Sequence, residues 1–328
     1  MKIRIAIIDS GINVEYNEFT QVPIEGINLI EYSNKIKDAI GHGTACAGEI
    51  VRINDNVVLH IVKIYDNILK TSLSKLIEAL EYLESLRGIN IINISSSVGL
   101  ITNYSNLYSE RLNNVLDKLY KKNVLVVCAA NNKGLSGFPA SLDNVLGVRS
   151  IVSKTERIEY KCNDEIQCDY YGDYRFMPTV NGRYEFFVGN SAATPRLVAY
   201  ISKIMLINKT NDIKEIKSKM SGEINSLLTQ SNMNDTSLHI KEALPNGEKE
   251  IIELLLKNLN KVKRIVPDWL EAPLKVLQRD ECFDLIHSMK EALNIDIDYK
   301  ELTTFDFDDI YTLSLKLRQM KMGGGQNK

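Results

Sequence analysis

Over the first two-thirds of the chain, short aliphatic runs alternate with stretches of helical periodicity. IRIAII (3–8), VVLHIVKI (57–64), INIINIS (89–95) and NVLVVCAA (123–130) are apolar almost throughout rather than at every second position. Such runs suit strands covered on both faces, as in a parallel sheet. Between them, 72–87 and 109–122 repeat apolar residues at helical spacing, with Leu73, Leu76, Ile77, Leu80 and Leu83 forming one stripe. Two more helical patterns follow at 194–207 and 212–228. Residues 229–247 are polar, contain Pro245 and Gly247, and lose the periodicity, which predicts a linker. Beyond it the strands disappear, and helical patterns occupy 248–262, 268–277, 281–293 and 306–321. The expected fold class is α/β, three layers around a mostly parallel sheet, plus a small all-α C-terminal domain. The expected domains are 1–228, a linker at 229–247, a helical bundle at 248–322 and a Gly-rich tail at 323–328.

Composition narrows the function. At about 150 residues per domain, 328 residues suit two domains. A hydrophobic content of 44% with 25% charged residues is that of a chain that folds. Forty basic against 42 acidic side chains leave −2, so no field steers the chain to nucleic acid. No apolar run approaches the roughly 18 residues of a membrane span, so no membrane partner is expected. The first strand begins at Ile3, with no signal segment before it, and a cytoplasmic address is expected. Five cysteines, an odd number, suit reduced thiols. Cys162 and Cys168 lack the partners that zinc spacing requires, and no cofactor or metal is expected.

Four segments carry candidate chemistry. Asp9 ends the first strand and is followed by Ser10 and Gly11. An acid there sits where ligands collect in α/β sheets, although the same residue also serves as a turn former. His42 stands between Gly41 and Gly43, ahead of the small residues Ala45, Cys46, Ala47 and Gly48, which suits an imidazole at a crowded helix start. Ser191, in GNSAATP, falls at or just before a helix N-terminus, with Pro195 in the first turn. Free N–H groups and the positive dipole end favour negative charge beside its Oγ, and a plain N-cap is the alternative. Finally, a buried strand breaks into Asn131, Asn132 and Lys133; an amide there can donate to an oxyanion or simply form a turn.

Taken together, the order Asp9, His42, Ser191 and the local motifs resemble the subtilisin-like serine peptidases. IAIIDSGIN is similar to the family's Asp motif, D-x-x-GHGT-x-x-AG from Asp38 to its His motif, AANNKG to its oxyanion Asn motif and GNSAATP to its Ser motif. Residues 91–99 and GFPAS (137–141) resemble its substrate-cleft segments. The resemblance implies Ser191 as nucleophile, His42 as general base and then acid, and Asp9 as the carboxylate orienting the imidazole. Asn132 with the Ser191 N–H would form the oxyanion hole. Ser95, Ser96 and Ser97 would hold substrate backbone, Gly137 would floor the first specificity pocket, and Lys133 is either a solvated surface lysine or, on the pocket's rim, a cation that favours a polar or acidic residue before the scissile bond. Asn131, Asn190 and Ala192 depart from the family's Gly, Thr and Met. These departures are also what a non-catalytic interaction protein on the same fold would show.

The resemblance further implies a peptide or protein substrate. With no room for a prosegment before Ile3, a dedicated intracellular processing peptidase is expected, for instance one removing the leader of a ribosomal peptide precursor. Residues 292–317 are similar to the second half of an acyl-carrier-type bundle, but the prosthetic-group position falls near Arg279, with no serine there. The 248–322 bundle is therefore expected to dock a partner or substrate leader.

Overall fold

The computed structural model describes residues 2–96, 98–99, 106–131, 137–162, 164–232, 246–262 and 274–323. These group into two compact units. One takes Met1–Gly172, Pro178–Gly182 and Phe187–Asn234; the other takes Asp173–Met177, Arg183–Phe186 and Asp235–Lys328.

The first unit is built on an eight-stranded sheet. The runs read as buried strands become β1 (Ile3–Asp9), β3 (Val57–Lys63), β4 (Ile91–Ile94) and β6 (Leu125–Ala129), with β2 at Ile24–Asn28. A further strand, β8 (Val145–Val152), is followed by β9 (Arg157–Tyr160) and β10 (Cys168–Gly172). The order is β2-β3-β1-β4-β6-β8-β10-β9, parallel except for β9 against β10. A separate two-stranded ribbon pairs β5 (Val98–Gly99) with β7 (Gly137–Phe138).

Both faces of the large sheet are covered. On one, α2 (Leu73–Ser85) and α3 (Asn106–Lys121) share a core with Ala6, Ile8, Val62, Ile92, Ile94, Val126 and Cys128. All five residues of the α2 stripe are buried, and its start is capped by the Ser72 hydroxyl accepting from Lys75 N–H. Truncating a leucine of this stripe to alanine costs about 2–5 kcal/mol.

Helices α1 (His42–Ile53) and α4 (Asn190–Asn208) pack together on the sheet, with α5 (Ile213–Asn232) beside α4. A buried ion pair ties α1 to α4: Arg196 donates twice to Glu49 Oε1, at 2.8 and 2.7 Å. Close approach explains the small residues of α1, since a Cβ on Gly43 would strike the Gly11 carbonyl.

In the second unit, α6 (Asn246–Val262), α7 (Arg279–Leu293) and α8 (Ile310–Gly323) bury Leu255, Leu259, Leu285, Ile286, Met289, Leu313 and Leu317 among themselves. The predicted helix at 268–277 lies mostly outside the described residues; its end, Leu274–Val276, is a 3-10 turn. This unit also contains most of a hairpin, β11 (Arg175–Pro178) with β12 (Tyr184–Phe187).

Candidate active site

Parallel strands place their carboxyl ends along one edge, so the adjacency of β1, β4 and β6 brings Asp9, Ser95 and Ala130 side by side. Two helices begin at that edge, α1 with His42 and α4 with Asn190 and Ser191.

Asp9 is fully buried. Its carboxylate accepts from His42 Nδ1, at 2.8 and 3.0 Å, from the Ser10 N–H at 2.8 Å and from the Ser10 hydroxyl at 3.2 Å. Ser10 Oγ in turn accepts from the Gly43 N–H at 2.9 Å, which joins the strand end to the first turn of α1. Asp38 performs the same service from the other side. Its Oδ1 accepts from the Ile40 and Gly41 N–H groups at 2.9 and 2.8 Å, and its Oδ2 from the Thr44 N–H and hydroxyl at 2.9 and 2.7 Å. Gly41, at φ 91°, makes the left-handed turn into the helix.

Donation from Nδ1 to the carboxylate leaves the Nε2 lone pair free to accept a proton. Burial disfavours the imidazolium, but the charge and hydrogen bond of Asp9, with the charge of Asp38 behind them, outweigh it and raise the His42 pKa above its ordinary value. The ring also meets Phe187 nearly perpendicularly, with centroids 5.3 Å apart. Phe187 was not legible as a site residue, because an aromatic in a short strand reads as core.

The buried thiol of Cys46 lies 3.7 Å from Asp9 Oδ2. Asp9, His42 and Cys46 offer ligand atoms within 4.8 Å of one another, the only such group among the described residues. Burial, reinforced by the Asp9 charge, pushes the thiol pKa well up, and a protonated thiol is a poor metal ligand.

Helix α4 starts earlier than the proline suggested. Gly189, at φ 76°, turns the chain so that Asn190 opens the helix, Ser191 is its second residue and Pro195 lies inside it. Proline has no N–H to give, so the Ser191 carbonyl receives no helical bond from it. The Ser191 hydroxyl donates to the Ser95 carbonyl at 2.8 Å. Asn190, read in the sequence as a departure, is a clamp: its Nδ2 donates to the Ala130 carbonyl at 2.9 Å and its Oδ1 accepts from the Ser150 N–H at 2.7 Å. It thus fixes the start of the serine helix to β8 and to the residue that follows β6.

Of the cleft residues, Ser95 Oγ accepts from Asn93 at 3.0 Å, Ser96 Oγ accepts from the Tyr65 hydroxyl at 2.6 Å, and Gly137 pairs with Gly99. Ser97, Asn132 and Lys133 lie outside the described residues.

The family Peptidase S8, the subtilases, matches residues 1–237. Subtilisin DY from Bacillus licheniformis is 23% identical over 241 residues, covering 69% of this chain and 84% of the relative. Subtilisin E from Bacillus subtilis strain 168 is 25% identical over 240 residues, covering 66% of this chain and 59% of the relative. Among solved structures, the nisin leader peptidase NisP from Lactococcus lactis shares the fold at a TM-score of 0.52 and 17% identity, covering 66% of this chain and 81% of that one. The epidermin leader peptide processing serine protease EpiP from Staphylococcus aureus does so at 0.56 and 18%, covering 72% and 76%. With most of its length matched and its parallel sheet shared with these enzymes, the chain belongs to the subtilase family and is a subtilisin-like serine-type endopeptidase.

Proposed function

We propose that the chain hydrolyses peptide bonds through Asp9, His42 and Ser191, as a dedicated processing peptidase that removes the leader of a peptide precursor. The observation that carries the catalytic part is the His42 Nδ1 contact with a fully buried Asp9 at 2.8 Å, beside a helix whose second residue is Ser191. In this reading the Ser191 hydroxyl leaves the Ser95 carbonyl and turns to His42 Nε2. Nε2 takes the Oγ proton as Oγ bonds to the substrate carbonyl carbon, then gives that proton to the departing amine, leaving an acyl-enzyme. His42 next deprotonates a water, which attacks the acyl carbon, and gives that proton to Ser191 Oγ as the acyl bond breaks. Asn132 and the Ser191 N–H would hold the oxyanion, a donor pair of the kind worth about 3–4 kcal/mol per side chain. Ser95, Ser96 and Ser97 would bind extended substrate backbone, with Gly137 and Lys133 at the first pocket.

The processing role is supported by the fold shared with the nisin and epidermin leader peptidases. Five free thiols, four of them buried, support a reducing compartment as the place of action. Docking of the leader on the helical unit completes the proposal.

An active-site-directed fluorophosphonate tests the catalytic part: it labels the wild type and not Ser191→Ala, and absence of labelling in folded wild type overturns it. For the processing part, a precursor with its leader should be cleaved at a lower KM than the same site in a short peptide. Equal KM values overturn docking. Among short peptides differing before the scissile bond, Glu or Gln should exceed Arg, and the reverse order overturns the role of Lys133.

A further inference from the structure

We propose that Phe187, the last residue of β12, is a positioning residue for His42. The proposal rests on the Asp9, His42, Ser191 reading above.

The hairpin is divided between the two units along its own length. Its arms, 173–177 and 183–186, belong to the helical unit, whereas its turn, 178–182, and everything from Phe187 on belong to the sheet unit. The arms are held by aromatic stacking. Tyr184 stacks on Tyr299 with centroids 4.8 Å apart, and Phe186 meets Phe176 at 4.1 Å and Phe307 at 5.3 Å. Backbone bonds reinforce them: the Thr304 N–H donates to the Tyr174 carbonyl at 2.9 Å, and Arg175 bridges to Thr303.

The turn is held by the elements that frame His42. Asn13 Nδ2 donates to the Thr179 carbonyl at 3.0 Å, and Tyr16 hydrogen-bonds to the backbone of Thr179 and Gly182. Thr179 also occupies the space over Gly41, where a Cβ would collide with its hydroxyl. Gly41 is the residue before His42.

Strand alternation does the rest. Consecutive residues of a strand point to opposite faces, so Phe186 and Phe187 serve different partners. Phe186 joins the aromatic core of the helical unit, and Phe187, only 9% exposed, packs its ring on His42. Asp9 fixes the imidazole at its Nδ1 edge, through contacts to both carboxylate oxygens, and leaves small rotations of the far edge open. The ring of Phe187 restrains those rotations, which aims Nε2. Two residues later Gly189 turns the chain into the helix that carries Ser191.

Misplacement of a reacting group by about 1 Å can cost about 100-fold in rate without weakening binding. The test is therefore saturation labelling of the full chain by a fluorophosphonate, which separates the maximal labelling rate from the probe's half-saturating concentration. Phe187→Ala should lower the maximal rate by about 10- to 100-fold at unchanged half-saturation, and Phe187→Tyr, which keeps the ring, should restore it. A wild-type rate in Phe187→Ala overturns the positioning role. An unlabelled wild type brings down the triad reading and this proposal together, which distinguishes that failure from a wild-type rate in Phe187→Ala.

Discussion

The two halves of the site are held in different ways. Around His42 the fixed points are buried acids: Asp9 accepts from His42 and from the N–H and hydroxyl of Ser10, and Asp38 accepts from the Ile40 and Gly41 N–H groups ahead of α1 and from the N–H and hydroxyl of Thr44 in its first turn. Around Ser191 the fixed point is a neutral amide, Asn190, which bonds Ala130 just past β6 and Ser150 in β8, and the Ser191 hydroxyl donates to the Ser95 carbonyl. A proton carrier must keep one orientation through two transfers, and ionised acceptors hold their donors about twice as strongly as neutral ones. In the proposed mechanism Ser191 must instead move from its resting partner to the substrate carbon, which suits a clamp on the backbone beneath it.

The largest effect should come from breaking the charged half at its centre. Asp9→Asn keeps the shape but no longer holds the Nδ1 proton, and should lower kcat by about 10⁴-fold. Steady-state cleavage of a peptide ester checks this, and a loss below tenfold would show that Asp9 does not orient His42.

A smaller and paired effect compares the two clamps. Asp38→Ala strips the carboxylate from three backbone N–H groups and a hydroxyl, and should cost about 3–5 kcal/mol of stability. Asn190→Ala leaves one N–H and one carbonyl without their partner and should cost about 1–3 kcal/mol. Urea unfolding of both variants gives the difference directly, and equal losses would remove the distinction between a charged and a neutral clamp.

The same contrast governs what the sequence discloses. Strands β1, β3, β4 and β6 are legible because burial on both faces leaves them almost wholly apolar. Strands β9 to β12 are not, because RIEY, CDYYG, RFMP and YEFF are short, polar and aromatic, and their pairing is decided by partners far along the chain. Asp9, His42 and Ser191 stand out because glycines mark the turns on which they sit. Asn190 reads as a mere departure from a motif, since nothing local says that Ala130 and Ser150 will arrive beside it. The hairpin is hidden for a similar reason: the helical periodicity begins at 248, but the helical unit reaches back to take in residues 173–177 and 183–186.

The smallest effect is a displacement along the pH axis, and its sign separates the two carboxylates. In the proposed mechanism His42 acts as a base only when neutral, and its pKa is raised, so at any given pH more of it is protonated than of an ordinary histidine. The acid limb of kcat/KM should therefore lie above the ordinary imidazole value of about 6.5. Asp38 contributes to that rise by charge alone, without touching the ring. Asp38→Asn, which keeps the side-chain shape and an acceptor for the α1 turn, should therefore move the limb to lower pH while leaving the plateau rate nearly intact. A pH profile of fluorophosphonate labelling measures both features. A limb that stays in place in Asp38→Asn would mean that Asp9 alone sets the charge at His42, and that Asp38 serves the helix start only as a hydrogen-bond acceptor.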